Sequence, residues 1–435
     1  MHCDQCEQTF RGVACTDVGV CGKDPNVESL QKTLLYGLKG MAAYAHHARR
    51  LGKTDEAVSA FMEEALFSTM TNVNFDLEHM LALTLKCGEM NLRVMQMLND
   101  GHVEKFGQPA PATVRLGTKA GPGILVTGHD LVDLFVLLEQ VRGTDVMVYT
   151  HGEMLPAHMY PVLHGHPNLA GHFGGPWQKQ RMEFEAFPGP IVGTTNCVLV
   201  PRDSNTYLPR FFTTRVVGVP GAKNIEGDDF SEVIACARRC KPCQESHDGD
   251  YTLGFHHSVI LGLADKIVEG VKSGALRHFF VIGGCDGAEP GRNYYSEFAK
   301  GTPPDSVILT LGCGKYRINA FDYGSVKING TEIPRLLDMG QCNDAYGAIQ
   351  VAVALAQAFN CGVNDLPLHI VLSWFEQKAV AVFLTLLSLG VKGIRIGPAA
   401  PAWITPNVMK VLQDKFDVKL VATATPAEDL AACLA

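Results

Sequence analysis

Four cysteines near the N-terminus have a spacing that suits one metal centre. Cys3, Cys6, Cys15 and Cys21 follow a C-x2-C-x8-C-x5-C pattern within nineteen residues. A loop this short can wrap a single centre, and soft thiolate ligands suit both iron–sulfur clusters and tetrahedral zinc. The segment therefore predicts a metal site and leaves iron and zinc open.

A second group of metal-ligand residue types lies farther along the chain, directly after predicted strands. In open α/β sheets the chemistry lies at the carboxyl ends of the strands. The residues of this kind at successive strand ends are His129, Glu153, Cys197, Cys285, Cys313, Cys342 and Glu376. Thiolates suit iron with sulfide bridges, whereas carboxylate and imidazole suit harder, oxygen-bridged iron. The mixed set predicts one cluster with two unlike halves.

Each of these residues has a plainer interpretation when it is taken alone. A buried cysteine is often only a small apolar side chain, and His129 alone is compatible with a hydrogen-bonded core histidine. Seven residues of metal-ligand type at seven strand ends make packing a poor explanation for the whole set. Glycines flank the cysteines, as on both sides of Cys313, and we interpret them as room for a bulky cluster.

The elements that must position these residues fall into a helical part and a sheet-forming part. Apolar residues at helical spacing between residues 27 and 105 predict three helices, and a turn-rich segment at 107–111 ends this region. Beyond it, short apolar runs alternate with amphipathic helices such as 131–141 and 378–389, which is typical of βαβ units. The predicted strands are 124–126, 146–150, 191–195, 279–282, 307–311, 335–339, 369–373 and 394–396.

The sequence thus predicts an α/β fold in which an all-helical N-terminal region of three helices precedes two Rossmann-like parallel-sheet domains. The predicted domains are 1–110, with the cysteine motif and the helices, 111–238 and 239–435. The joint between the two sheet domains is placed in the polar stretch 236–251, and a break near 218–221 is the alternative.

Charge, hydropathy and cysteine content exclude several classes of function. The net charge is −8 with scattered basic residues, which argues against binding to nucleic acid or to an anionic membrane. The longest apolar stretch, 379–391, is too short to span a bilayer, and the first residues do not resemble a signal peptide. We therefore expect a cytoplasmic protein, in which fourteen cysteines favour metal binding or redox chemistry over disulfides.

The segments that carry the strand-end residues resemble those of the hybrid cluster protein family, also called prismane proteins or hydroxylamine reductases. The resemblance runs almost continuously from residue 123 to the C-terminus and includes the N-terminal cysteine motif. It implies that the seven strand-end residues bind a hybrid [4Fe-2O-2S] cluster. It also implies that Cys285, in the motif Gly-Gly-Cys-Asp-Gly, carries a persulfide.

The resemblance also bears on the N-terminal region. The cysteine spacing there is similar to that of family members that bind a [4Fe-4S] cluster, whereas other members bind [2Fe-2S] with different spacing. Longer members carry two three-helix bundles between the counterparts of Cys21 and His129, and this chain has room for about one. It therefore resembles the short class of the family, and we expect a homo-oligomer, such as a dimer. Whether another subunit supplies the missing cover is left open by the sequence.

The activity that the resemblance implies is that of an oxidoreductase that reduces hydroxylamine to ammonia and water, or nitric oxide to nitrous oxide. The N-terminal cluster would relay electrons from a redox donor protein to the hybrid cluster, where the small nitrogenous substrate binds. The residues expected to take part in catalysis are Cys285 together with Glu376 and Lys378, which would deliver protons, with His129 a weaker candidate.

Two other classes of function remain open from the sequence. A nickel carbon monoxide dehydrogenase shares the architecture, but its additional N-terminal cluster cysteines are missing here. A nitrosative-stress sensor or S-nitrosating protein would use Cys285 or the hybrid cluster to transfer a nitrosyl group without sustained turnover.

One motif is not accounted for by the resemblance. Cys236, Cys240 and Cys243 follow a C-x3-C-x2-C pattern that matches the cluster motif of radical S-adenosylmethionine enzymes. The pattern here ends a predicted helix instead of following an early barrel strand, which disfavours radical chemistry. Unligated thiols are the favoured interpretation, and an extra metal site is the alternative.

Overall fold

The computed structural model describes residues 1–373, 376–421 and 425–435. The helices of these residues are α1 (Pro25–Arg50), α2 (Glu56–Ser68), α3 (Leu77–Phe106), α4 (Leu131–Val141), α5 (Pro161–His164), α6 (Gln180–Ala186), α7 (Ser231–Arg239), α8 (His257–Leu261), α9 (Ala264–Ser273), α10 (Tyr294–Gly301), α11 (Ala345–Phe359), α12 (Gln377–Ser388), α13 (Pro406–Phe416) and α14 (Pro426–Leu434). The strands are β1 (Ala112–Arg115), β2 (Gly123–Thr127), β3 (Met147–His151), β4 (Leu169–His172), β5 (Ile191–Gly193), β6 (Phe211–Thr214), β7 (Lys223–Ile225), β8 (Asp250–Leu253), β9 (His278–Gly284), β10 (Ser306–Thr310), β11 (Ser325–Ile328), β12 (Thr331–Pro334), β13 (Leu336–Asp338), β14 (Leu368–Ser373), β15 (Arg395–Gly397) and β16 (Lys419–Leu420).

The predicted N-terminal helical region is confirmed as α1, α2 and α3. Each helix begins at an aspartate, Asp24, Asp55 or Asp76, whose side chain accepts hydrogen bonds from backbone N–H groups of the first turn. Such caps satisfy donors that would otherwise lack a partner inside the helix. The buried faces of α1 and α3 share one hydrophobic core with α12 of the second sheet region.

The contact between α12 and the N-terminal helices is unusually close at two glycines. A Cβ atom at Gly40 of α1 would collide with the carbonyl oxygen of Gln377, and one at Gly88 of α3 with that of Leu384. The backbones therefore touch without intervening side chains, as only glycine allows. This contact fixes the first turn of α12, which carries Lys378.

The first parallel sheet has, within the described residues, the strand order β4-β3-β2-β5-β6-β7. The predicted strands 124–126, 146–150 and 191–195 are confirmed as β2, β3 and β5. The last of these ends at Gly193, so Thr194 and Thr195 belong to the loop that follows. Fully buried residues of β2 and helix α4 form the centre of this region.

The second parallel sheet has the order β13-β10-β9-β14-β15-β16 in the described part of the chain. The five strands predicted between residues 279 and 396 are confirmed by five of the six strands of this sheet: β9, β10, β13, β14 and β15. Four strands of the two sheets were not predicted. They are β4, β7 and β16, which lie at sheet edges, and β6, which lies next to β7. Two antiparallel pairs, β1 with β8 and β11 with β12, were not predicted either.

The strands of the first sheet lie between residues 123 and 225 and those of the second between 278 and 420. The predicted domain boundaries at 110 and 238 fall outside both sheets and stay predictions. The pairing of β1 with β8 joins chain from either side of the first sheet. No helix among residues 1–373, 376–421 and 425–435 is long and apolar enough to cross a membrane.

Candidate metal centres

The ends of the two parallel sheets face each other, and the strand-end loops meet in a buried seam. The side-chain amide of Gln341, after β13, donates hydrogen bonds to the carbonyl oxygens of His129 (3.1 Å) and Glu153 (2.7 Å) in the first-sheet loops. Trp177 donates through its ring N–H to the carbonyl oxygen of Cys285 at 3.0 Å. These contacts bring the predicted ligand loops of both sheets to one place.

His129 is presented to this seam with one ring nitrogen already engaged. Its backbone N–H donates to Thr195 Oγ1 at 2.8 Å, and its Nδ1 lies 2.9 Å from the same oxygen, which leaves Nε2 for the seam. Burial, followed by the positive charge of Lys378 and then of His47, holds the pKa of His129 well below its usual value. The imidazole is therefore neutral, which is the form that binds metals.

Glu153 carries a donor atom that the protein leaves open. Its side chain is 3% exposed, and Oε2 accepts a hydrogen bond from the backbone N–H of Cys342 at 3.2 Å. Its Oε1 is buried and has no hydrogen-bond partner among the described residues. Burial raises the pKa of Glu153 to about 7, against the opposing charge of Lys315. An orphaned buried carboxyl oxygen is costly unless a cation takes it as a ligand.

The structure brings three of the seven predicted ligands into direct proximity. One donor atom each of His129, Glu153 and Cys342 lie within 4.8 Å of one another. The Cys342 thiol also accepts a hydrogen bond from the hydroxyl of Tyr44, at 3.1 Å. Burial raises the pKa of Cys342 to about 12, with the charge of Lys378 opposing.

The remaining four predicted ligands border the same space. Burial raises the pKa of the Cys197 thiol, and the charges of Glu376 and Cys285 raise it further. Burial likewise raises the pKa of Cys313, followed by the charges of Glu153 and Cys197. Burial also raises the pKa of Glu376, against the charge of Lys378. These mutual charge effects place Cys197, Cys285, Cys313 and Glu376 near the three converging residues, and the binding of all seven to one centre stays a prediction.

The backbone at the cysteines is specialised, but not for the reason that the sequence suggested. A Cβ atom at Gly284 would collide with the carbonyl oxygen of Ser373, and one at Gly314 with the backbone of Gly283. Both glycines therefore let neighbouring strand ends approach, so the interpretation as room for a cluster is wrong at these positions. Cys197 has φ 68°, a conformation that non-glycine residues rarely adopt and that is found at functional sites.

Lys378 and Tyr44 complete the wall of the site. Lys378 is 1% exposed, and its Nζ donates to Asn196 Oδ1 at 2.6 Å and lies 5.3 Å from the centre of the Tyr44 ring. The amide of Asn196 in turn donates to the Cys197 thiol at 3.2 Å. Lys378 was predicted at the site. Tyr44 was missed, because it continues the apolar stripe of α1 and gives no signal of its own.

The donor set fits an iron–sulfur centre. Four thiols, one neutral imidazole and two carboxyls surround a space in which burial disfavours every anionic form, and cationic metal would supply the missing compensation. Thiolates bind iron in soft, sulfur-rich environments, whereas carboxylate and imidazole bind iron in harder ones. The seven predicted residues are therefore chemically suited to hold such a group, and their assignment as its ligands stays a prediction.

The N-terminal cysteines form a more open site. Cys3 and Cys15 pair as an antiparallel bridge, with mutual N–H to carbonyl hydrogen bonds of 3.1 and 2.9 Å, and both are buried. Cys6 is half-buried, and Cys21 is exposed with its Sγ 3.9 Å from the carbonyl oxygen of Thr71. Ligands of one cluster bind different irons, so they need not converge on a single point as ligands of one ion do.

A buried lysine stands behind the N-terminal cysteines. Lys23 is 0% exposed, and its Nζ donates to Cys3 Sγ at 3.4 Å, to Glu28 at 2.7 Å and to Gln31 at 2.8 Å. Burial lowers the pKa of Lys23, but the partners Glu28 and Cys3 outweigh it, so the pKa ends above its usual value. A fixed positive charge therefore contacts one predicted cluster ligand. Lys23 was not predicted, because no motif around it indicates this contact.

The third cysteine motif does not converge as a unit. Cys236 and Cys240 have their sulfur atoms 3.8 Å apart, whereas Cys243 forms a backbone bridge with Gly121. The Cys243 thiol lies where a Cβ atom of Gly123 would be only 2.7 Å away. In the described part of the chain, these three cysteines are not a group whose ligand atoms lie within 4.8 Å of one another.

Comparison with known proteins identifies the family. The sequence model of the Prismane/CO dehydrogenase family matches residues 1–82 and 76–431, which together make up nearly the whole chain. The chain belongs to this family. A hydroxylamine reductase from Moorella thermoacetica is 59% identical over 430 residues, covering 99% of both chains. Another, from Geobacter metallireducens, is 53% identical over 400 residues, covering 92% of this chain but 72% of that protein.

These coverages place the chain among the shorter members of the Prismane/CO dehydrogenase family, as the sequence predicted. Among solved structures, carbon monoxide dehydrogenase IV from Carboxydothermus hydrogenoformans superposes with a TM-score of 0.79, at 14% identity, over 100% of this chain and 91% of that one. At that identity the likeness concerns the fold alone. The prediction of a helical region followed by two parallel sheets is confirmed by this likeness as well.

Proposed function

We propose that this protein is a hydroxylamine reductase, an iron–sulfur oxidoreductase that converts hydroxylamine, two electrons and two protons into ammonia and water. Reduction of nitric oxide to nitrous oxide is the second reaction proposed for the same site. The observation that carries the proposal is the seam in which His129, Glu153 and Cys342 converge, with a Glu153 carboxyl oxygen that has no hydrogen-bond partner among the described residues. The relatives that share most of the chain carry the name hydroxylamine reductase.

The proposed cofactors are a hybrid [4Fe-2O-2S] cluster in the seam and a [4Fe-4S] cluster in the N-terminal loop. His129, Glu153, Cys197, Cys285, Cys313, Cys342 and Glu376 would hold the first, with Cys285 as a persulfide. Cys3, Cys6, Cys15 and Cys21 would hold the second. When bound, the hybrid cluster supplies electrons and an open iron position for the substrate.

The protein's own contribution is to fix charge and protons around the bound substrate. Lys378 is held against Asn196 Oδ1 and the Tyr44 ring, so its ammonium group stays at the site and cannot turn to solvent. Its Nζ can hold a proton beside Glu376, and the Tyr44 hydroxyl points a second proton at Cys342. We propose that Lys378 and Glu376 deliver protons to the nitrogen and oxygen of the substrate.

Burial serves this chemistry by excluding water. Glu153 and His129 are 3% and 6% exposed, and the close contact of α12 with α1 and α3 covers the seam from the helical side. In a dry site the charge of Lys378 acts more strongly on a developing amide or hydroxide than it would in water.

Electron supply is proposed to occur at the opposite, open site. Cys21 is exposed, and the loop around it presents Phe10, Val13, Val18 and Val20 to the surface. A redox donor protein would dock close to this loop. A homo-oligomer, for which a dimer is the simplest form, and a cytoplasmic location remain predictions of the sequence.

Metal analysis of protein purified without oxygen tests the proposal. Roughly eight irons per chain, with sulfide and without nickel or zinc, are expected for two four-iron clusters. Glu376→Ala and Cys285→Ala should lose the paramagnetic signals of the hybrid cluster and hydroxylamine turnover with a reduced dye. The matched variants Glu297→Ala, on the exposed side of α10, and Cys361→Ala should retain both. Four irons or fewer, or nickel in the seam, would contradict the proposal.

A further inference from the structure

The cysteines at the end of α7 form a pair outside both metal sites. Cys236 lies in the last turns of α7 and Cys240 is the residue that ends the helix. The backbone N–H of Cys240 still donates to the carbonyl oxygen of Cys236, at 3.0 Å, so the two residues are one helical turn apart. Their sulfur atoms are 3.8 Å apart.

The backbone spacing of the pair is compatible with a disulfide. Residues one turn apart on a helix are separated by about 6 Å, within the range that disulfides span. A sulfur separation of 3.8 Å belongs to two free thiols. Cβ atoms four residues apart on a helix are about 5–6 Å apart, so a disulfide also requires the last turn of α7, which ends at Cys240, to bring them to about 4 Å.

The third cysteine of the motif cannot replace either member of the pair. Cys243 is held by two backbone hydrogen bonds to Gly121, of 3.1 and 2.8 Å, and its thiol is packed against Gly123, in the core between β2 and β5. The motif therefore splits into a dithiol and a structural cysteine, which is why its spacing does not produce a three-thiol metal site here.

The surroundings of the pair are unequal and cationic. Cys236 is 8% exposed, whereas Cys240 is half-buried and within reach of solvent. Burial and then Cys240 raise the pKa of Cys236 to about 11, while Arg239 and Arg210 lower it. Burial lowers the pKa of Arg210, and Cys240, Glu185 and Cys236 oppose that change, so the guanidinium lies near both sulfurs. The guanidinium therefore offsets only part of the effect of burial on Cys236, and the half-buried Cys240 is the thiol placed to react first.

We propose that Cys236 and Cys240 are a redox-active dithiol that is oxidised to an intrahelical disulfide by a low-molecular-weight disulfide. The more accessible Cys240 thiolate attacks one sulfur of the small disulfide, forms a mixed disulfide and releases one thiolate. The Cys236 thiolate then attacks Cys240 Sγ and releases the second. Two protein thiols lose two electrons and their protons, and one small disulfide is reduced to two thiols.

The site is independent of the iron chemistry proposed above. Neither thiol is among the predicted cluster ligands. The disulfide would instead close the C-terminal turn of α7, whose residues Val233 and Cys236 pack in the same core as Val126 of β2. Loss of the pair should therefore leave the iron content unchanged, so failure of this proposal and failure of the proposed function are distinguishable.

Oxidant titration of the iron-loaded enzyme tests the proposal. The protein is incubated without oxygen in mixtures of oxidised and reduced glutathione, quenched in acid, alkylated in denaturant and digested with trypsin. Trypsin cuts between the two cysteines at Arg238 and Arg239, so the disulfide appears as two cross-linked peptides. The bond between Lys241 and Pro242 resists trypsin, so the second peptide holds both Cys240 and Cys243, and its fragmentation spectrum assigns the cross-linked cysteine. We expect this cross-link in the wild type and at least a tenfold loss of it in Cys236→Ser and in Cys240→Ser.

Two further measurements decide the order and the selectivity of the reaction. Cys236→Ser should trap glutathione on Cys240 at least tenfold more than the wild type, whereas Cys240→Ser should trap little on Cys236. The control Cys243→Ala should retain the cross-link, and the iron content of every variant should equal that of the wild type. The proposal is overturned by a wild type without the cross-link, by a cross-link to Cys243, or by equal trapping on both cysteines.

Discussion

The N-terminal cysteine loop and the seam between the sheets both offer thiols to a metal, yet their ligands are spread very differently along the chain. The loop takes four cysteines from residues 3 to 21, with a short backbone bridge as its main regular contact. The seam takes its ligands from residues 129 to 376 and places each at the end of a strand. Cys21 of the loop is exposed, whereas every predicted ligand of the seam is buried or half-buried.

This difference indicates a division of labour. A cluster that exchanges electrons with another protein needs an exposed edge, which Cys21 provides, whereas a site that handles a small reactive substrate benefits from excluded water. The two sites are also held in place by different parts of the protein. The seam rests on two hydrophobic cores, while the loop contacts α1 mainly through Lys32 and through Lys23, which bonds Glu28 and Gln31, so we expect a bound metal to support the loop more than the seam.

The largest expected effect separates the two sites outright. Glu153→Ala removes a carboxyl oxygen that has no partner in the described part of the chain, so the seam should lose its metal and hydroxylamine turnover should fall by about 100-fold or more. Iron and sulfide analysis with electron paramagnetic resonance should show the N-terminal cluster intact. If the N-terminal signal vanished together with that of the seam, the two sites would not be independent.

The converse change acts on the loop. Cys15→Ser removes a buried ligand beside Cys3, and the protein should lose about four irons while the seam keeps its own. Turnover with a protein donor should then fall much more than turnover with a small dye that can reach the seam directly. An equal loss with both donors would argue against electron entry through the loop. Cys433→Ser, at a buried cysteine far from either site, is the matched control.

A smaller effect is expected from the support of a ligand. Thr195→Val removes the oxygen that orients His129 through Nδ1 while keeping the shape of the side chain. Loss of such a partner costs about 10- to 100-fold in metal affinity or activity. Thr213→Val, in β6 of the same sheet, serves as the control, and the comparison is made on iron retention in the presence of a chelator.

A prediction on pH concerns the helical region, which links the two sites. Burial lowers the pKa of His102 to about 3, and its Nδ1 has no hydrogen-bond partner in the described residues. Below the unfolded value of about 6.5 the unfolded chain binds a proton that the folded chain refuses, so stability is lost as the pH falls. Between pH 7 and pH 5 this one group should lower the free energy of unfolding by about 2 kcal/mol.

Denaturant unfolding at the two pH values checks this expectation. His102→Leu should lose less stability on acidification than the wild type, by up to that amount. His79→Leu, at an exposed histidine in the first turn of the same helix, should behave like the wild type. If both variants followed the wild-type curve, His102 would not carry the effect.

The smallest effect sharpens the comparison within the loop itself. Lys23→Met removes the buried positive charge that contacts Cys3, so the midpoint potential of the N-terminal cluster should become more negative while the seam is unchanged. Glu28 keeps Lys32 as an ion-pair partner at 3.2 Å, which limits the structural cost. Redox titration followed by electron paramagnetic resonance measures the shift, and Lys32→Met, which removes a more exposed charge, should shift it less.

Much of the fold was predictable because strong apolar runs mark the central strands. Residues of β2 and β10 are buried along their whole length, and their sequence shows it. The missed strands are short or lie at the sheet edges. β7 is three residues long with exposed side chains, and β4 contains a glycine and a histidine, so neither carries an apolar run.

The site was predictable where residue type and position coincide at a strand end. His129, Glu153 and Cys342 follow this rule, and the structure brings them together. Supporting residues were not predictable, because their roles depend on contacts between distant parts of the chain. Tyr44 meets a cysteine 298 positions away, and Lys23 is buried only because α1 closes over it.

The side-chain amide of Gln341 carries a consequence for how the protein is made. It holds the backbones of two ligand loops of the first sheet from a loop of the second, so the donor set is complete only when both sheets are joined. Three of the seven predicted ligands, His129, Glu153 and Cys313, are buried and the other four are half-buried, so a centre of several irons and bridging atoms has little room to enter once the two sheets are joined. Its insertion during biosynthesis must therefore precede the final docking of the two halves or reopen it, which makes cofactor delivery a step in the folding of the chain.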